Sequence, residues 1–199
     1  MLIGASLLLL GGCSRSLVQT QFIAPEFALS DLRSGPSLLV VSPEVHVNAF
    51  KKPYRALFKD SVALPTRLSQ KILDSLKVGV SVTAIQAGVP VSDSALQASL
   101  LSSGSKYVVF VRSVTIEDSL TEIPRGQLPG MNGMEPSGGG TSKSCIVVLD
   151  VEILDSTLTK QYAFVVRSSA DVALYAYKTA LLNAVDAAAR KTAWHLSGR

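Results

Sequence analysis

Apolar residues recur along this chain in two rhythms, one of period two and one of period three to four, broken by clusters of glycine, proline and serine. "SLLVVSP" (37–43) is a short apolar run closed by proline, the pattern of a buried strand. In "TRLSQKILDSL", Leu68, Ile72 and Leu76 fall four apart while Arg67, Gln70, Lys71 and Asp74 take the remaining surface. This predicts an amphipathic helix with Pro65 at its first turn. "VGVSVTAIQ" (78–86) alternates Val80, Val82 and Ala84 with small polar residues and reads as a strand. Ser92 or Asp93 then caps a short helix to about Ser102, with Leu96 and Leu100 inward and Gly104 as its stop. "KYVVFVRSVTIED" (106–118), β-branched and aromatic, is the strongest strand. "SCIVVLDVEILD" and "QYAFVVRSS", joined by "STLTK", predict an antiparallel hairpin. The chain closes with "DVALYAYKTALLNAVDAAARKTAWHLS", a long helix with Asp171 as cap. At about 100° per residue, Leu174, Tyr177, Leu181, Ala184, Val185 and Ala188 share its apolar face, opposite Thr179, Asn183, Asp186 and Arg190.

The predicted order is β-α-β-α-β-long loop-β-β-α. Two strand–helix–strand units imply parallel crossovers, and the hairpin adds antiparallel strands. The fold class is therefore α/β (α+β): one domain, residues 37–199, with a mixed sheet of about five strands and two or three packed helices. Residues 119–143, rich in glycine and proline, are expected as a flexible loop. "EVHVNAFKKPYRALFKDSVAL" fits either a loop or a helical turn, and residues 13–36 show no sustained period, which suggests a tether with a short element near Glu26–Leu32.

The first residues follow a different logic. From Leu2 to Leu10 the chain is apolar except for Gly4 and Ser6, and no Lys or Arg precedes it. The run is shorter than the roughly 20 residues that span a bilayer, but it suits the hydrophobic region of a secretory signal. Gly11 and Gly12 place small side chains just before Cys13. Leu10-Gly11-Gly12-Cys13 resembles the lipobox of bacterial lipoproteins. That resemblance implies a signal peptide at 1–12, diacylglycerol on the Cys13 sulfur, cleavage before it, and usually acylation (palmitate, for example) of the new amino terminus. Several acyl chains would hold the protein on a membrane, where one alone binds marginally. By the same resemblance, Ser14 rather than Asp after the cysteine implies the outer membrane, facing the periplasm.

Composition narrows the partners. The 199 residues are 47% hydrophobic and 17% charged, with a formal net charge of +4. Basic residues are scattered, with Lys51-Lys52 and Arg190-Lys191 the only adjacent pairs, so the clustering expected of a nucleic-acid reader is missing. With Cys13 acylated, Cys145 in "SCIVVLDVEIL" is expected to act as a small hydrophobe.

The fragments that imitate catalytic motifs lack their context. "GGGTSKS" (138–144) precedes a strand, whereas a phosphate-binding loop follows a strand and opens a helix. Ser103 and Lys106 have serine–lysine spacing, but Gly104 ends the helix between them, so the two side chains should diverge. His46 and His195 are the only histidines, and no cluster has metal-ligand spacing. Neither a metal nor another cofactor is expected. Glu117-Asp118 and Asp150/Glu152 are carboxylates on strands, where alternating charges usually face solvent. Trp194 falls toward the polar side of the last helix, near Arg190, and these two are the candidate partner surface.

In pattern, "SLLVVSP", "LPTRLSQKILDSL", "KYVVFVRSVTI", the strand pair and the final helix resemble the α/β domain shared by the curli secretion lipoprotein and the TolB amino-terminal domain. The resemblance implies an assembly or interaction module and carries over no catalytic residues. The expected function is a non-enzymatic, lipid-anchored adaptor that recruits other envelope proteins and can self-associate. The alternatives are a carrier or sensor of a small lipid or glycan, and an envelope hydrolase whose site is built from distant residues.

Overall fold

Period-two apolar positions need a sheet, and in the computed structural model they build one with six strands. The structure describes residues 15–33, 37–48, 69–70, 72–74, 82–87, 92–122, 141–172 and 176–198. Along the chain these form β1 (Arg15–Ile23), α1 (Leu29–Arg33), β2 (Ser37–Val47), β3 (Val82–Ala87), α2 (Asp93–Ser103), β4 (Tyr107–Glu122), β5 (Thr141–Asp155), β6 (Lys160–Asp171) and α3 (Tyr177–Ser197). Residues 69–70 and 72–74 are also helical. The strand order is β1-β6-β5-β4-β2-β3, with β2 parallel to both β3 and β4 and every other pair antiparallel. The mixed α/β architecture expected from the pattern is present.

The two sheet faces carry separate cores. On one face Leu39, Val109, Val147, Leu149, Val151, Phe164 and Val166 pack against Leu181, Ala184, Val185 and Ala188 of α3. Ile72, from the predicted amphipathic helix, joins this core, while Leu68 and Leu76 lie outside the described residues. On the other face Leu38, Val40, Val108 and Leu154 pack against Leu96 and Leu100 of α2. The expected caps of α2 are in place. The Ser92 hydroxyl accepts from the Ala95 amide at 3.3 Å, and Gly104 closes the helix at φ 63°, the left-handed conformation that glycine adopts without steric cost.

Several boundaries differ from the sequence expectation. The segment expected as a tether is largely folded: β1 pairs with β6 from Arg15 opposite Ser169 to Ile23 opposite Tyr162. Pairing supplies partners that β6 would lack at an edge, namely Ser16 to the buried Ser168 (2.6 Å) and Thr20 to the Tyr162 hydroxyl (2.9 Å). Phe27 packs edge-on to Tyr107 (5.7 Å) and stacked on Tyr162 (5.8 Å), and Leu32 of α1 is buried, so residues 15–33 belong to the domain.

β2 does not end at Pro43. The register shifts between Val41 and Glu44, so the proline sits in a bulge where its missing N–H costs no ladder bond. The loop expected at 119–143 is shorter, because β4 runs to Glu122 and β5 begins at Thr141; residues 123–140 lie outside the described residues. Asp171 does not cap α3. It ends β6 opposite Ser144, whose hydroxyl donates to its carboxylate at 2.8 Å, and the N-cap position falls on Ala176.

Candidate functional site

A bulge in β4 produces the most concentrated polar chemistry. The β4–β5 register shifts between Val111 and Ser113, which makes Arg112 the extra residue. The insertion switches the inward set from Val109 and Val111 to Val114 and Ile116, since one added residue flips a strand's faces. Arg112 turns to the α2 side of the sheet, where its guanidinium lies 5.1 Å from the Phe110 ring centroid and pairs with Glu152 Oε2. Lys160, at the start of β6, pairs with Glu152 Oε1. Glu152 is buried while both cations are about half exposed. The expectation that Asp150 and Glu152 face solvent is corrected for Glu152: the two cations neutralise it and make its burial tolerable.

The two carboxylates are pushed in opposite directions. Burial raises the Asp150 value, with the Glu152 charge adding to that and Lys160 and Arg112 opposing it. Burial would raise Glu152 as well, but its hydrogen bonds and charge contacts with Lys160 and Arg112 win and hold it low. Divergent carboxylates are a feature of acid–base sites. Here, however, a cation occupies each Glu152 oxygen, so the cluster acts as a clamp joining β4, β5 and β6.

A second polar chain crosses the other face. The Tyr162 hydroxyl stands 2.9 Å from Thr20 Oγ1 and 2.8 Å from His195 Nε2, and the His195 ring packs 4.8 Å from Phe164 and 5.9 Å from Tyr162. His195 thus joins the aromatic end of the core, as its helical position suggests. His46 sits on β2, 3.7 Å from Glu44 Oε1. Glu117 pairs with Arg167 at 3.2 Å. Among the described residues no group of three His, Cys, Asp or Glu side chains could hold a metal ion.

Ser103 and Lys106 do diverge. The Ser103 hydroxyl lies 3.1 Å from the Leu100 carbonyl and 2.9 Å from Ser105 Oγ, while the Lys106 ammonium sits 5.2 Å from the Tyr107 ring centroid. Of "GGGTSKS", Thr141–Ser144 form the first residues of β5, paired with the end of β4, and the glycines lie outside the described residues. Cys145 is a buried thiol in β5; Cys13 lies outside the described residues.

Among the described residues, α3 and β1 each present an exposed surface to a partner. Trp194 is 55% exposed on α3, one turn after the exposed Arg190, where the helical wheel places them. The other surface is β1, at the sheet edge, with Leu17, Phe22 and Ile23 exposed; sequence reasoning missed it. Beside Leu17, a hollow of about 250 Å³ is lined by Arg15, Ser16, Ile146, Arg167 and Ser169. It is smaller than the roughly 300–1,000 Å³ usual for small-molecule sites. Among the described residues no helix is long and apolar enough to cross a membrane.

No protein-family model matches the chain. No curated protein matches it either. Among solved structures, the PelC dodecamer from Paraburkholderia phytofirmans is similar at 12% identity and a TM-score of 0.47, over 93% of this chain and 99% of the other. A dodecamer of a single-residue variant of that protein, in a different crystal form, aligns at 12% identity and 0.44, over 93% and 100%. Likeness at this level assigns no function.

Proposed function

We propose that the protein is a lipid-anchored envelope lipoprotein, attached at Cys13 to the outer membrane and facing the periplasm, that acts as a non-catalytic adaptor. The observation that carries the reading is the Leu10-Gly11-Gly12-Cys13 stretch, which the sequence sets two residues before β1 at Arg15. Three further features support it. The buried acid of the sheet is occupied by its own cations, the histidine of α3 is part of the core, and the one tryptophan stands outward beside an arginine. Exposed tryptophan with arginine is the combination enriched where protein partners bind.

Two measurements test it. Mass spectrometry of the native protein should find acyl chains on an amino-terminal Cys13; an unmodified thiol with the leader attached overturns the anchor. A photo-crosslinking residue in place of Trp194 in cells should capture specific envelope proteins, and recovery of monomer alone overturns the adaptor role. Trp194→Ala should abolish capture at a neighbouring probe while shifting stability by no more than about 0.5 kcal/mol, as for other exposed substitutions.

A further inference from the structure

We infer that the outer edge of β1 rests on the bilayer that carries the anchor, with Leu17, Phe22 and Ile23 at the acyl boundary and Arg15 among anionic headgroups. The inference rests on acylation of Cys13. Ser14 alone separates Cys13 from Arg15, which already pairs with Ser169, so the link reaches about 7 Å at most. β1 itself is about 26 Å long, and a link that short cannot hold the domain away from the surface.

The exposed side chains select which part of the domain faces the bilayer. Leu17 is 65% exposed, Phe22 43% and Ile23 56%, so large apolar groups stand at both ends of the strand. Leu17 shares a face with Arg15, whereas Ile23 lies on the face of Tyr162, its register partner. Only an approach along the strand edge brings both faces' apolar groups to one plane. An edge strand cannot enter hydrocarbon, because its outer N–H and C=O groups would lose their hydrogen bonds. At headgroup depth those groups stay hydrated while the side chains reach deeper. "RSLVQTQFI" contains no acidic residue to repel anionic lipid; Glu26 comes next, in the turn beyond the strand. Arg15 and Arg167 line the hollow beside the strand together with Leu17 and Ile146, with Arg167 also held by Glu117.

The test uses full-length acylated protein in phosphatidylethanolamine–phosphatidylglycerol vesicles with brominated acyl chains. Trp194 is the only tryptophan, so Trp194→Phe provides a dark background. In that background Phe22→Trp should be quenched several-fold more than Leu101→Trp. Leu101 is 76% exposed on α2, which packs on β2, four strands and about 19 Å from β1. Ile23→Trp provides a second reporter, and circular dichroism confirms that each variant folds. Equal quenching at positions 22 and 101 in vesicle-bound protein overturns the seating and leaves the anchor intact. Quantitative copy-to-copy disulfide formation by Gln19→Cys in the same vesicles also overturns it, because a second copy then covers the edge. Protein that neither floats with vesicles nor carries acyl mass at Cys13 removes the anchor and the seating together.

Discussion

Asp150 and Glu152, two residues apart on one face of β5, should affect stability with opposite signs. Glu152 titrates below its ordinary value, so its contribution is complete above the unfolded carboxylate range near pH 4 and is lost as pH falls through the folded value. Glu152→Gln should therefore cost roughly 1–3 kcal/mol at pH 7, with the gap to wild type closing in acid, read by urea unfolding across pH. Asp150 titrates above its ordinary value, so its charge is a net cost at neutral pH that is relieved as pH falls through the raised value. Asp150→Asn should raise the melting temperature at pH 7, and the gain should shrink toward pH 4. An equal loss from both substitutions would contradict the arrangement of the clamp. None of this was legible from "VVLDVEILD", where Asp150 and Glu152 read as outward charges. The partners that bury Glu152 come from a bulge 40 residues earlier and from the far side of a turn.

At the scale of elements, the most local features were the most legible. α2 matches its pattern from cap to stop because Ser92 and Gly104 act through their own backbone neighbours. Gly104→Ala should cost about 1 kcal/mol in urea unfolding. An added Cβ at Gly104 meets nothing within 4 Å, so the cost is that of a left-handed φ alone. The apolar face of α3 was legible too, since Leu181, Ala184, Val185 and Ala188 recur at helical spacing and are all buried. Its start was not, because Asp171 fits a cap equally well until the β5–β6 ladder takes its backbone. β1 was illegible for a related reason. An edge strand has one neighbour and mixed faces, so "RSLVQTQFI" carries no clean alternation, and its partner lies about 150 residues away.

For the molecule as a whole, the acylation proposed for Cys13 would make anchor and fold a single mechanical unit, because only Ser14 lies between that cysteine and β1. Ten flexible Gly/Ser residues inserted between Ser14 and Arg15 would add a mean reach of about 17 Å. In acylated protein on vesicles, this should restore access of a water-soluble quencher to a tryptophan at position 22 and leave the melting temperature unchanged. The leader and the anchor cysteine as expectations, the strand–helix order from β2 onward and the caps of α2 follow from sequence alone, because each depends on residues within a few positions of one another. The fold itself decided the rest: the sixth strand, the phase switch at Arg112, the burial of Glu152 and the absence of slack beside Cys13. Each of these depends on which distant backbone lies alongside, and hydrogen-bond pairing across a sheet leaves little trace in either strand read by itself.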